Sequence, residues 1–278
     1  MKLPSVVAGS FYPSQPKVLT KLLDGYAKEL HPMELPGQAV GMILPHAGYA
    51  YSGPVAALGY LSLTEQYEFI IVAGPSHFVP FQGASIFAGE SVQTPLGDLA
   101  VDQEAAQALM VSHESLREFP AAWEREHSVE VHFPLITKFL PKTKVVPIVT
   151  GHCVGRYSEA LAGALAKLGR TRKFLFVASS DLSHYPDYAT ASTKDQEFLK
   201  AVLTGDPDQV DQADNRILGE HHPNLQCTHC GSEPVQAILQ YGKVTGAKNI
   251  RLMKYQNSGD VTKDKSRVVG YAAVAFCR

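Results

Sequence analysis

Phe69-Ile70-Ile71-Val72-Ala73-Gly74-Pro75-Ser76-His77 is the stretch whose reading decides the fold. An unbroken apolar run stops at Gly-Pro, with a histidine just beyond. Such a run, bounded by Gly, Pro and Ser, predicts a strand buried on both faces of a parallel sheet. The design recurs at 40–44 running into Pro45-His46, at 145–149 into Thr150-Gly151-His152, and at 174–178 into Ser179-Ser180-Asp181-Leu182-Ser183-His184. All carboxyl ends of a parallel sheet lie along one edge, and open α/β sheets bind ligands there. Four imidazoles delivered to one edge predict a site, most simply a metal site.

The segments between these runs predict helices. Ser14-Gln15-Pro16 opens one, with Ser as cap and Pro in the first turn. Val18, Leu19, Leu22, Leu23, Tyr26 and Leu30 then repeat at helical spacing and predict its buried face. Residues 53–63 and 157–168 read as crossover helices, and 102–112, 129–139, 192–203 and 233–241 as further helices, with another capped by Asp206. Residues 84–88 and 91–95 predict an antiparallel pair, and Pro95-Leu96-Gly97-Asp98 a turn. Residues 250–256 and 268–276 suit a hairpin at the sheet edge. The alternation predicts an α/β fold in one domain over 1–278, a central, mostly parallel sheet flanked by helices with antiparallel edge strands.

Composition excludes several classes. A formal charge of -2, with no basic run, gives no case for nucleic acid. No apolar segment is long enough to span a bilayer and no signal peptide is evident, so the expected location is the cytoplasm. There Cys153, Cys227, Cys230 and Cys277 read as thiols or ligands rather than disulfides. Walker, GxSxG and GxGxxG motifs are absent.

Four clusters carry candidate chemistry. Each of the histidines, taken singly, reads as a helix cap or a satisfied buried group; their placement at successive strand ends is what argues a site. His46 and His77 are the strongest pair, because Pro and Gly fix their loops. His46-Ala47-Gly48-Tyr49 leads toward a helix whose N–H groups can hold an anion. In the second cluster, a helical turn over 181–184 would put Asp181 and His184 on one face, letting Asp181 fix the imidazole tautomer for acid–base work; an Asp cap with a solvated His is the competing reading. Glu126-His127-Ser128-Val129-Glu130-Val131-His132 is the third. Its histidines are five apart and do not fit HExxH zinc chemistry, and its carboxylates read as partners of a ligand or as a polar helix start. The fourth, Cys227-Thr228-His229-Cys230, suggests a zinc knuckle or redox dithiol, but no second CxxC accompanies it. Cys230 precedes a predicted helix, whose dipole favours a thiolate.

Pro45-His46-Ala47-Gly48-Tyr49, Gly74-Pro75-Ser76-His77, Glu126-His127-Ser128-Val129-Glu130, Ser179-Ser180-Asp181-Leu182-Ser183-His184 and Cys230-Gly231, with the opening Ala8-Gly9-Ser10-Phe11-Tyr12-Pro13, occur in the order of the Memo family (AmmeMemoRadiSam system protein B). The resemblance covers essentially the whole chain. It implies a fold like the class III extradiol ring-cleaving dioxygenases, which are non-haem iron enzymes. It also implies His46, His77 and Cys230 as metal ligands, with Asp181 and His184 beside them as catalytic residues and Glu126, His127, His132 and Tyr49 as supporting candidates. Iron(II) is the expected metal, with copper or zinc as alternatives. The dioxygenases use two His and a carboxylate; Cys230 departs from that set and favours copper(I) or a shifted iron potential.

Three functions follow from these residues and the resemblance. The first is an iron- or copper-binding redox protein, a possible dioxygenase-like enzyme of unknown small substrate. The second is a non-enzymatic scaffold that uses the cleft for a peptide or protein, with AMMECR1-type and radical-SAM proteins as the partners implied by the family name. The third is a zinc-dependent hydrolase.

Overall fold

The computed structural model describes residues 1–151 and 157–278, so the expectations placed on His152 and Cys153 lie outside the described residues. In chain order the strands are β1 (Lys2–Leu3), β2 (Ala39–Leu44), β3 (Phe69–Pro75), β4 (Ala84–Ile86), β5 (Ser91–Thr94), β6 (Gly97–Ala100), β7 (Leu116–Arg117), β8 (Lys144–Thr150), β9 (Phe174–Ser179), β10 (Asn249–Asn257) and β11 (Gly270–Cys277). The helices are α1 (Pro16–Glu29), α2 (Gly53–Leu61), α3 (Gln103–Met110), α4 (Phe133–Phe139), α5 (Tyr157–Leu168), α6 (Tyr188–Val202), α7 (Pro207–Gly219), α8 (Ser232–Thr245) and α9 (Ser258–Thr262).

The four apolar runs are neighbours at the centre of an eight-stranded sheet, in the order β10-β11-β2-β9-β3-β8-β4-β7. β2, β9, β3 and β8 are mutually parallel, and register pairs Ile43 with Ala178 and Ala178 with Ala73, so their carboxyl ends are level. Successive residues of a strand point to opposite faces. Ile70, Val72, Leu175 and Val177 accordingly enter one core with α1, α2 and α4, while Ile71, Ala73, Phe174 and Phe176 enter the other with α5 and α8. A helical layer on each face is why these runs have no polar break. The result is an α/β fold with a mixed sheet flanked by helices. Among the described residues no helix is long and apolar enough to cross a membrane.

Several local expectations need correction. Residues 84–86 and 91–94 do not pair with each other. β4 pairs antiparallel with β8, and β5 turns through Pro95-Leu96 into β6 and also joins β1. A lone two-stranded ribbon is marginal, so each strand joins an existing edge instead. Val18 is exposed, and α1 starts after Gln15 without a side-chain cap, leaving Leu19, Leu23 and Tyr26 as its buried face. The helix expected from residue 129 opens with a 3-10 turn, Glu130–His132, before α4. The edge hairpin forms as β10 and β11, with α9 inside its connection.

Candidate metal centre

His46 sits two residues past β2 and is almost fully buried. Its backbone N–H donates to Asp181 Oδ1 at 2.8 Å, and its Nδ1 lies 2.8 Å from Ser179 Oγ. His77 sits two residues past β3, with its side chain 27% exposed. Its backbone N–H donates to Glu126 Oε2 at 2.5 Å, and its Nδ1 donates to Glu126 Oε1 at 2.8 Å. A carboxylate only accepts, so His77 carries a proton on Nδ1, and Nε2 is the ring atom left to face the centre. This is the carboxylate–histidine pairing that orients imidazole ligands in metal proteins.

The loop that supplies Glu126 also supplies the third imidazole. His127 stacks on His77 with ring centroids 4.4 Å apart, and His46 lies 5.2 Å from His77 and 5.6 Å from His127. One ligand atom from each of the three falls within 4.8 Å of the other two. Burial first, then the repulsion a second protonated ring would meet from His77, pushes the His127 pKa down to about 4. Burial also drives His46 well below its ordinary value, and the crowding of His77 and His127 around it further disfavours protonating all three rings. Both rings are therefore neutral at pH 7, the form that binds metal.

Burial would raise the Glu126 carboxyl, but hydrogen bonds from the His77 side chain and backbone and from Ser128 outweigh it and hold it below the usual range. The loop reaches the site because Gly74, the penultimate residue of β3, has no side chain. A Cβ there would lie 2.6 Å from Ser128 Oγ and 2.8 Å from Ser128 Cβ.

Cys230 Sγ lies 3.2 Å from His46 Nε2 and accepts from the Asp181 backbone N–H at 3.3 Å. Gly231 permits this approach, since a Cβ there would meet Ser179 O at 2.6 Å. The expected thiolate is not favoured without a cation. Burial, then repulsion from Asp181 and Cys227, pushes the thiol well above its ordinary value, and the hydrogen bonds from the Asp181 backbone and Ser180 do not offset it. A bound cation reverses the balance.

Asp181 and His184 are arranged differently from the sequence expectation. Residues 181–183 form no helical turn, and His184 lies in an isolated bridge with Val269. Asp181 instead accepts from the backbone N–H groups of His46 and Ala47, so the anion held by that loop is the chain's own carboxyl. Burial raises its pKa to about 7 against those two hydrogen bonds. Among the described residues the buried His184 Nε2 has no partner, and burial, then the repulsion a protonated ring would meet from His77, lowers its pKa to about 4.

The remaining candidates are structural neighbours of the centre. Tyr49 donates its hydroxyl to Val131 O at 2.6 Å and touches none of the imidazole nitrogens by hydrogen bond. His132 is fully buried between Tyr60 and Ser179. Glu130 accepts from Ser5 Oγ, the Val6 and Val7 backbone and Tyr12 Oη. That clamp seats the segment bearing Phe11, whose ring lies 4.5 Å from His127. A cavity of about 810 Å³ beside Gln38, Arg172 and Lys173 opens at the other edge of the sheet and involves none of these residues.

Comparison with known proteins gives the family. The family described as Memo-like protein matches residues 4–275. A MEMO1 family protein of Methanococcus maripaludis is 36% identical over 293 residues, covering 99% of each chain. Another, from Thermotoga petrophila, is 34% identical over 99% of this chain and 100% of its own. The crystal structure of uncharacterized protein JW3007 from Escherichia coli K12 superposes with a TM-score of 0.59 at 14% identity, covering 86% of this chain and 100% of that one. That likeness concerns the fold. With its full-length matches and its histidine-lined strand ends, this chain belongs to the Memo family.

Proposed function

We propose that this protein is a metal-binding redox protein, with iron(II) or copper held by His46 and His77 and completed by His127 or Cys230. The observation that carries the reading is the trio of imidazoles, kept neutral by burial in two cases, with ligand atoms within 4.8 Å of one another. A buried carboxylate backs His77 and leaves its Nε2 to face the centre. A bound iron or copper ion supplies one-electron chemistry and Lewis acidity. The rings of Phe11 and the half-exposed Phe78 flank His127 and give the mouth of the centre an apolar rim. His184 is neutral at pH 7 with one ring nitrogen unpartnered among the described residues, and its role is to accept a proton at that nitrogen. Asp181 holds the His46 loop through backbone N–H groups and does not steer His184.

Anaerobic purification followed by elemental analysis tests the reading. His46→Ala and His77→Ala are expected to abolish stoichiometric metal, and separate His127→Ala and Cys230→Ala variants identify the completing ligand. Undiminished metal in both His46→Ala and Cys230→Ala would sink it. Oxygen uptake with a catechol and phenol set then tests for redox turnover.

His127 supports a second reading. Three histidines form the ligand set of zinc sites that activate water. Stoichiometric zinc, with no spectral response to oxygen or reductant, would favour that hydrolytic alternative.

A further inference from the structure

We infer that Ser179 is a positioning residue that fixes the proton of His46 on Nδ1 and so leaves Nε2 bare toward the centre; its importance for metal binding rests on the reading of His46 as a ligand. Ser179 ends β9, the strand between β2 and β3, and is fully buried. Its Oγ has three close neighbours. Ser128 O is 2.6 Å away, and His46 Nδ1 and His132 Nε2 are each 2.8 Å away. A hydroxyl has one hydrogen and two lone pairs. A carbonyl oxygen only accepts, so the single hydrogen goes to Ser128 O. Both lone pairs then face ring nitrogens, and each nitrogen must donate. The reverse assignment would press two acceptor oxygens together at 2.6 Å, in a buried place where an unpaired acceptor is costly. His46 is therefore the Nδ1–H tautomer, and its Nε2 lies 3.2 Å from Cys230 Sγ.

The same accounting extends outward. With His132 Nε2 donating, its Nδ1 accepts from the Tyr60 hydroxyl at 3.0 Å. The Ser128 carbonyl is itself anchored, because Ser128 N donates to Glu126 Oε1 and its Oγ donates to Pro75 O at 2.7 Å. One short segment thus sets the proton at both strand-end histidines: Glu126 directly at His77, and Ser128 through Ser179 at His46. Removing the Ser179 hydroxyl leaves two imidazole N–H groups without acceptors and frees His46 to carry its proton on the metal-facing nitrogen.

Long-range proton–nitrogen NMR on the metal-free, full-length chain with labelled histidine tests this, with His46 assigned through His46→Gln. The wild type should show His46 protonated on Nδ1 and His132 on Nε2. In Ser179→Ala, His46 should shift toward the Nε2–H form, and cobalt(II) affinity should fall about 10–100-fold, the usual cost of losing such a partner. Tyr60→Phe removes only the outer donor, so it should leave the His46 tautomer and cobalt affinity unchanged. A wild-type His46 carrying its proton on Nε2 overturns the inference and needs no variant to fold. So does a folded Ser179→Ala protein with the wild-type tautomer and affinity. A wild type that shows the expected tautomer yet binds no cobalt refutes the ligand reading while upholding the lock.

Discussion

Glu126 accepts four hydrogen bonds in a buried setting, from the His77 backbone and ring and from the His127 and Ser128 backbone. Both oxygens are used, Oε2 by the His77 backbone and Oε1 by the other three donors, which a carboxylate satisfies and an amide does not. Glu126→Gln turns one of these acceptors into an NH₂ that faces a donor, and it removes the charge that polarises His77. Metal affinity is expected to fall about 10–100-fold in a competitive chelator titration. Affinity equal to wild type would mean that His77 does not depend on this carboxylate. Sequence marked Glu126 as a partner for a ligand, yet nothing local named His77 as that ligand. The two are 49 positions apart and meet only through the fold.

At the level of elements, the 126–132 segment does more than its sequence suggested. It holds the partner of one histidine, a third imidazole, the anchor of Ser179 and the clamp for residues 5–12. Its site role was hard to read because it has no regular period: it is a loop and a 3-10 turn. The strand ends were readable because an apolar run ending in Gly or Pro is a local pattern. Asp181 and His184 illustrate the opposite error. Spacing assumed a helical turn, but tertiary pairing of His184 with Val269 took precedence. The approach of the segment depends on Gly74. Gly74→Ala should destabilise the protein by about 1–3 kcal/mol through overpacking against Ser128. Urea unfolding checks this, and a change under about 0.5 kcal/mol would show that the loop shifts freely. Glu130→Gln should loosen residues 5–12, raising hydrogen exchange at the Val6 and Val7 amides while the sheet core stays protected.

For the molecule as a whole, burial of neutral imidazoles predicts a pH dependence. His127 and His184 titrate at about 4 and His132 at about 3, against an ordinary 6.5, and His46 is displaced the same way. The unfolded chain takes up these protons first, so this stabilisation is complete above about pH 6.5 and is lost as pH falls through the folded values. Asp181, at about 7, and Asp195, at about 6, act oppositely: their contribution is complete near pH 4 and is lost as pH rises. The histidines are the larger set, so the metal-free protein should lose on the order of a few kcal/mol between pH 7 and pH 4. Urea midpoints at several pH values measure this, and a midpoint that climbs steadily toward acid would contradict it. Bound metal should be released over the same range, because protons compete for the same nitrogens.

β2 and β3 are not adjacent; β9 runs between them. Hydrogen-bonded strands stand about 4.8 Å apart, so the backbones bearing His46 and His77 begin about two such spacings from each other. Each ring reaches inward over the end of the intervening strand, which carries only the small Ser179 and Ser180 there. The sheet acts as a ruler. The spacing between those two strand ends is set by main-chain ladders that no surface substitution can stretch, so variation in the centre falls to the loop-borne donors His127 and Cys230.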